Sequence, residues 1–315
     1  MEWFDIYVDG RTMINVPNIG SNGGTSGFRS IPPVPPVPIR TATVSMALKA
    51  QRAFLMCKPD AVSRGLALDI MRAVSAKLAE RGIPHRIVAP KLFNITPDIA
   101  KAFYPELKDE LFARVAPYIT GSHPDSRVYQ APVVPFIVEA YCDDLISILR
   151  SDDFIGPTKI DGKVLSADPT RTEKLKKSIR YKFTVERNIA QIPFEHGPLM
   201  NCVHCSGNAS DALREIGIIY SQDELKEYYE PSALDAVFQR TDDPIAHLRG
   251  NTLSLPLRDL AGMEPVSFEK ALSRLLNRGN YRDFSAKNMD DVRGLAAAMA
   301  TSLVEMSRSF AAFPV

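Results

Sequence analysis

Hydrophobic residues recur along the middle of the chain at spacings that alternate between strand and helix. Ala53 to Cys57 is a short apolar run typical of a buried strand. Leu66 to Arg81 carries apolar residues at helical spacing, and Gly82 supplies a stop at its carboxyl end. His85 to Phe93 is predicted to be a second strand. Thr96-Pro97-Asp98 has the form of a helix start, with threonine as the cap and proline in the first turn.

The same alternation continues downstream. Val133 to Tyr141 is predicted to be a strand, Asp143 to Leu149 a helix, and Asn208 to Glu215 another helix. The resulting order is strand–helix–strand, strand–helix, strand. This order is typical of a ferredoxin-like split β-α-β sandwich, an α+β fold in which helices cover an antiparallel sheet.

The flanks differ from this middle part, which we assign to residues 51–232 as one domain. Residues 1–50 are rich in proline and glycine, with IPPVPPVP over Ile31 to Pro38, a composition that favours extended chain without a packed core. Two interpretations stay open for this extension: an arm or linker that lies on a sister subunit, or a docking motif for a proline-recognising protein. Residues 233–315 are predicted to be a helical extension.

The helical extension carries two apolar stripes, Ser267 to Leu276 and Val292 to Phe310. We expect these helices to pack on the domain core, on a sister subunit or on another protein.

Composition narrows the class of partner. The chain has 38 Lys+Arg against 37 Asp+Glu, a net charge of +1, so no overall basic field favours nucleic acid. The four cysteines are too few for a disulfide scaffold and favour a reducing compartment. The amino terminus lacks a signal pattern, and the most apolar run, Ala131 to Ala140, is too short to span a bilayer. We therefore expect a cytoplasmic protein with no membrane partner.

The segment Asn201-Cys202-Val203-His204-Cys205-Ser206 is the strongest candidate for chemistry. A neutral imidazole accepts a phosphoryl group when a second group orients its other nitrogen, and Glu215 offers a carboxylate further along. Cys202 and Cys205 also form a CxxC, which can indicate a redox or zinc site. Because no second CxxC occurs, we favour a buried strand cysteine at Cys202.

Phosphate-binding side chains precede this segment. Lys58 ends a predicted strand just before Pro59, which holds it in place to reach a phosphate as a point charge. Arg180, in Ser178-Ile179-Arg180, suits the same task because a guanidinium binds phosphate oxygens as a fork.

Over residues 52–230, these segments, in this order and together with Tyr104 to Phe112, resemble nucleoside diphosphate kinases. The resemblance implies a ping-pong reaction in which ATP gives its γ-phosphate to His204 and a second nucleoside diphosphate takes it. It implies Mg²⁺ held through the nucleotide phosphates without a protein metal site, nucleoside di- and triphosphates as ligands, and a homo-oligomer. The catalytic residues it implies are His204, Lys58, Glu215, Tyr104 and Ser206.

The nucleotide-binding residues implied by the resemblance are Lys58, Phe112, Arg150, Thr158, Arg180 and Asn201. Phe112 would stack on the base and Tyr104 would reach toward His204. Glu215 and Ser206 would orient the histidine ring, and Asn201 and Lys58 would contact the ribose hydroxyl. Arg150 and Thr158 depend on the alignment, with Arg171 in reserve and a competing match at Asp168-Pro169.

Several features depart from the family pattern. Cys205 replaces a glycine after the histidine, Gly207 replaces an aspartate, and residues 121–130, 159–177 and 184–200 read as insertions. Arg187-Asn188-Ile189 followed by His196-Gly197 imitates the histidine motif at the wrong spacing. The alternative function is a catalytically weak or inactive fold that serves as a nucleotide-binding or structural assembly module.

Overall fold

The computed structural model describes residues 3–8, 12–17, 50–120, 131–158, 160, 168–186, 201–238, 254–261, 263–278 and 292–293. The chain divides into two compact units, residues 1–46 and 47–315. In the first unit, β1 (Trp3–Val8) and β2 (Thr12–Pro17) form an antiparallel hairpin in which Trp3 lies opposite Pro17. The sequence prediction missed this hairpin, because it rested on the proline and glycine content further along the extension.

The second unit contains the remaining strands and the helices. Its strands are β3 (Ala50–Cys57), β4 (His85–Val88), β5 (Lys91–Phe93), β6 (Val134–Tyr141), β7 (Val203–Cys205) and β8 (Ser254–Pro256). Its helices are α1 (Pro59–Val62), α2 (Ala67–Glu80), α3 (Pro97–Phe103), α4 (Asp109–Ile119), α5 (Leu145–Arg150), α6 (Pro169–Lys176), α7 (Ala209–Ile219), α8 (Gln222–Leu225), α9 (Pro231–Phe238), α10 (Leu257–Ala261) and α11 (Pro265–Arg278), with a π-helical turn over Tyr181–Val185.

The central sheet has the order β4-β6-β3-β7, and each neighbouring pair is antiparallel. Helix α2 connects β3 to β4, and β6 lies between these two strands. This is the ferredoxin-like split β-α-β arrangement, so the predicted fold class is confirmed. The predicted helix ends are confirmed as well: Gly82 has φ +66, and Thr96 accepts a hydrogen bond from the Ile99 amide at 3.3 Å.

The prediction of one continuous strand over His85 to Phe93 is wrong. The structure has two strands, because Ala89 takes a left-handed φ of +49 and Pro90 has no amide proton to donate. After this break β4 stays in the central sheet beside β6, whereas β5 leaves it and pairs with β8.

The last five residues of strand β3 are buried on both faces of the sheet, which explains the uninterrupted apolar run from Ala53 to Cys57. Leu55 and Cys57 belong to the core beneath α2, whereas Phe54 and Met56 belong to the core beneath α3 and α7. The carboxyl end of β3 therefore emerges between two packed layers, and Lys58 follows directly.

The carboxyl-terminal segment adds to the first of these cores. Strand β8 pairs with β5, and Leu257 donates its amide to Pro90 O at 3.1 Å. Phe268 and Leu272 of α11 are almost fully buried in the core that contains α2. The helix predicted over Ser267 to Leu276 is thus confirmed, whereas the stripe over Val292 to Phe310 lies outside the described residues except at 292–293.

Within the described ranges, none of the helices combines the length and the apolar character that crossing a membrane requires.

Candidate active site

A cavity of about 520 Å³ opens where β3 ends and β7 begins. Most of the site residues predicted from sequence line it, although they come from six separate segments. They are Lys58, Tyr104, Arg150, Thr158, Arg180, Asn201, His204 and Glu215. Ser206 lies behind the wall, fully buried, and Phe112 is not among the described residues that line the cavity.

The His204 ring is held by the Glu215 carboxylate, which the Ser206 hydroxyl also contacts. Its Nε2 lies 3.0 Å from Glu215 Oε2, and the Ser206 hydroxyl donates to the same oxygen at 2.6 Å. The Glu215 carboxylate is only 3 % exposed, so these two donors compensate for its burial. Because a carboxylate accepts hydrogen bonds, this contact is made by the tautomer that has its proton on Nε2, and in that tautomer Nδ1 keeps its lone pair.

A short strand, a turn and a helix bring the histidine and the glutamate together. Residue His204 of β7 lies opposite Met56 of β3, and helix α7 begins five residues later. The side chain of Asn208 caps this helix by accepting from the Asp211 amide at 2.9 Å. This fixed start turns Glu215 back toward the strand.

Aromatic rings enclose the other side of the imidazole. The Tyr104 hydroxyl lies 3.4 Å from His204 Nδ1, and the two rings meet edge to face at 88°. Phe54 and Phe103 lie with ring centroids 6.0 and 5.8 Å from that of His204. Burial raises the pKa of the Tyr104 hydroxyl, so the group is a neutral donor beside Nδ1.

Lys58 and Asn201 form the opposite wall. Lys58 Nζ donates to Asn201 Oδ1 at 2.9 Å, and Asn201 Nδ2 donates to Thr158 O at 3.1 Å. Burial and then the charge of Arg180 lower the pKa of Lys58 to about 8. An anion that entered the cavity would favour the charged ammonium.

The Arg180 guanidinium spans two backbone segments. Its Nη1 donates to Gly156 O at 2.7 Å and its Nη2 to Val203 O at 2.9 Å, and burial lowers its pKa to about 10. Gly156 has φ +84, and a Cβ there would lie 2.6 Å from the Ser178 hydroxyl oxygen. Only glycine combines this left-handed conformation with this lack of space, so Gly156 fixes one anchor of the arginine.

The structure distinguishes the two alternatives for the second arginine. Arg150 ends α5 and lines the cavity, with Nη1 3.5 Å from Ser206 O. Arg171 instead forms an exposed ion pair with Asp152 at 2.8 Å. The geometry therefore favours Arg150 over Arg171 for contact with a phosphate.

Phe112 does not reach the cavity. Its ring is partly buried against the α3–α4 side of the core, with Lys101 Nζ 4.9 Å from its centroid. Stacking of a nucleobase on Phe112 stays a prediction.

The sequence interpretation missed three charged residues that line the cavity, Glu106, Asp211 and Arg214. Arg214 donates to Ala102 O at 2.8 Å and so ties α7 to the end of α3. Asp211 lies one helical turn before Glu215, so helical spacing from Glu215 contained the signal for it.

The cysteines of the CxxC occupy different environments. Cys202 is fully buried, whereas Cys205 lies on the cavity wall, where burial raises the pKa of its thiol. All four cysteines are free. Across the ranges that the structure describes, no three His, Cys, Asp or Glu side chains are placed to hold a metal ion together. The imitation motif at Arg187 to Gly197 lies outside the described residues.

Comparison with known proteins identifies similar sequences and structures. The family model described as nucleoside diphosphate kinase matches residues 51–225. The chain is 30% identical over 179 residues to a nucleoside diphosphate kinase of Methanobrevibacter smithii, covering 56% of this chain and 92% of that relative. It is 29% identical over 182 residues to one of Methanothermobacter thermautotrophicus, covering 58% and 94%.

A crystal structure of the Aquifex aeolicus nucleoside diphosphate kinase matches 56% of this chain and 99% of its own at 25% identity, with a TM-score of 0.38. The family model itself covers more than half of the 315 residues, including each segment that lines the cavity. The chain therefore belongs to the nucleoside diphosphate kinase family.

Proposed function

We propose that this protein is a nucleoside diphosphate kinase that passes a γ-phosphate between nucleotides through a phosphohistidine at His204. The observation that carries the proposal is the contact of His204 Nε2 with the buried Glu215 carboxylate at 3.0 Å. This contact leaves Nδ1 as the nucleophilic nitrogen, on the side of Tyr104 and the cavity.

In the first half-reaction, the Nδ1 lone pair attacks the γ-phosphorus of ATP. The bond from that phosphorus to the β,γ-bridging oxygen breaks, and the electron pair leaves with ADP. The proton stays on Nε2, where Glu215 stabilises the positive charge that develops on the ring. A second nucleoside diphosphate then attacks the phosphohistidine through a terminal β-phosphate oxygen and restores the neutral imidazole.

Cationic side chains on the cavity wall would bind the phosphates. Lys58, Arg150, Arg180 and Arg214 bring positive charge to one cavity, and positioning with charge stabilisation supplies most of the catalysis in phosphoryl transfer. Mg²⁺ would be held through the nucleotide phosphates, and the carboxylates of Glu106 and Asp211 on the cavity wall would offer it further oxygen ligands of the kind that it prefers. Bound Mg²⁺ would neutralise charge on the phosphates.

The experiment that tests the proposal is phosphorylation of the purified chain by γ-labelled ATP. We expect an acid-labile label on the wild type that added GDP or CDP removes, and no label on His204→Ala. ADP binding, measured by calorimetry, should persist in His204→Ala because the cationic wall is intact. Wild type that binds ADP but takes no label would overturn the kinase and favour the alternative, a nucleotide-binding assembly module.

Family membership also motivates proposals for the assembly and the location. We propose a homo-oligomer that acts in the cytoplasm. Light scattering coupled to gel filtration measures the first, and a mass equal to one chain would contradict it.

A further inference from the structure

Cys202 holds an unusual backbone conformation two residues before the proposed nucleophile. Its φ is +63, a left-handed value that residues other than glycine rarely adopt, and its side chain is fully buried. The residue lies between Asn201, whose side chain contacts Lys58, and the strand that carries His204. Any relaxation of Cys202 would therefore move both.

The turn after β3 holds both backbone polar groups of Cys202. Asp60 Oδ2 accepts a hydrogen bond from the Cys202 amide at 3.0 Å, and the Lys58 amide donates to Cys202 O at 2.9 Å. The Asp60 carboxylate is 3 % exposed, so its contact with this amide is shielded from water.

Asp60 does not belong to the reacting groups. It is absent from the described residues that line the cavity, and its carboxylate contacts the amide and the thiol of Cys202 instead of space that a phosphate would fill. Its geometry matches that of a brace. One carboxylate oxygen accepts the hydrogen bond of the Cys202 amide, and this bond would break if Cys202 relaxed to a negative φ.

We propose that Asp60 is a positioning residue that locks Cys202 in its left-handed conformation and thereby sets Asn201 and His204 in register with Lys58. This inference rests on the proposed kinase function. The lock requires an acceptor oxygen and does not require a negative charge. A role as charge partner of Lys58 would require the charge.

Five variants separate these roles: Asp60→Ala, Asp60→Asn, Cys202→Gly, and the two double variants that combine Cys202→Gly with Asp60→Ala or with Asp60→Asn. Asparagine keeps the acceptor and loses the charge. Glycine adopts positive φ without a brace, so it should make Asp60 dispensable.

We expect Asp60→Ala to slow labelling of His204 about tenfold, as the energy of one left-handed residue implies. Asp60→Asn should stay within about threefold of wild type, and the double variant with Asp60→Ala should label faster than Asp60→Ala alone. Equal labelling in Asp60→Ala and wild type would overturn the proposal, as would that double variant labelling no faster than Asp60→Ala. If Asp60→Asn labels as slowly as Asp60→Ala, the role of Asp60 is that of a charge partner of Lys58 and not of a brace.

Hydrogen exchange at the Cys202 and Val203 amides gives a readout independent of activity. The brace predicts faster exchange there in Asp60→Ala and wild-type exchange in α2, whereas faster exchange throughout would report unfolding. In that case two comparisons of the labelling rate decide whether Asp60 acts as an acceptor or as a charge. The first compares Asp60→Asn with wild type, and the second compares Cys202→Gly with the double variant that also carries Asp60→Asn. Wild type without label would refute the kinase, and unchanged Cys202 exchange in Asp60→Ala would refute the brace.

Discussion

Replacing Glu215 by glutamine tests the pairing on which the proposed chemistry depends. The change keeps the size of the side chain and an acceptor for His204 Nε2, but it removes the negative charge that lies 3.0 Å away. At an effective dielectric constant of about 20, two unit charges about 4 Å apart attract by about 4 kcal/mol. The ring carries only part of a charge at the transition state, so a loss of about 2 kcal/mol, or about 30-fold in rate, is expected.

The assay is the initial rate of His204 phosphorylation by labelled ATP, with ADP affinity measured on the same samples. The affinity of Glu215→Gln for ADP should hold or increase, because the substitution removes a negative charge from the cavity that we propose to bind phosphates. Glu110→Gln is the matched control, since it makes the same chemical change at an exposed site on α4. Phosphorylation of Glu215→Gln at the wild-type rate would refute the reasoning, and a parallel fall in affinity and rate would point to a damaged fold.

Three further perturbations follow from the structure. Because we propose that Lys58 binds phosphate as the ammonium, and its pKa is lowered to about 8, kcat/KM should fall as the pH rises through about 8, with no such limb in Lys58→Met. Gly156→Ala should lower the free energy of unfolding by at least about 2 kcal/mol more than Gly82→Ala in urea titrations, because both have positive φ but only Gly156 faces the Ser178 side chain, at 2.6 Å. Leu272→Ala should cost about 2–5 kcal/mol, since this α11 side chain is fully buried; a cost below about 1 kcal/mol would mean that the helix is not part of the core.

The sequence predicted the elements whose signals are local. Periodic apolar residues and a good cap located α2 and α3, and the pattern of strands predicted the split β-α-β order that the sheet confirms. The single strand over His85 to Phe93 failed because its apolar pattern does not reveal that Ala89 turns left-handed, and because the local signal that was present, Pro90, was not weighed. Strand β8 was missed for another reason: its partner β5 lies more than 150 residues earlier, and pairing at that separation has no local signature.

The candidate site also contains residues that local motifs predicted and contacts that only the fold reveals. Lys58 and His204 stood out because each lies in a compact motif, and the structure brings both to one cavity. What holds them there is long-range: the Lys58 ammonium meets Asn201, and Asn201 in turn meets the backbone of Thr158. Residue identity indicated which groups carry the chemistry, but only the fold shows that Arg150, and not Arg171, faces the cavity.

The two departures near His204 differ in what they change. At Gly207 the space beside the backbone is already filled, since a Cβ there would lie 2.7 Å from Asp211 Oδ2 and 3.2 Å from Arg150 Nη1. A carboxylate from the next helical turn therefore occupies the place that a longer side chain at 207 would take, and it sits on the same cavity wall as the arginine. Glycine at 207 and aspartate at 211 then form one compensated arrangement, in which Arg150 keeps an acidic neighbour.

Cys205 has no such compensation. Its thiol is a cavity wall group whose raised pKa keeps it neutral, so it adds volume beside the histidine without adding charge. Added volume on the cavity wall narrows the space for the γ-phosphate, whereas the cations that we propose to bind the rest of the nucleotide stand on other segments. The consequence falls on the rate of transfer more than on nucleotide affinity, and Cys205→Gly should raise kcat while leaving the dissociation constant of ADP within about threefold of wild type. Equal kcat in the two proteins would show that the thiol leaves the line of attack open.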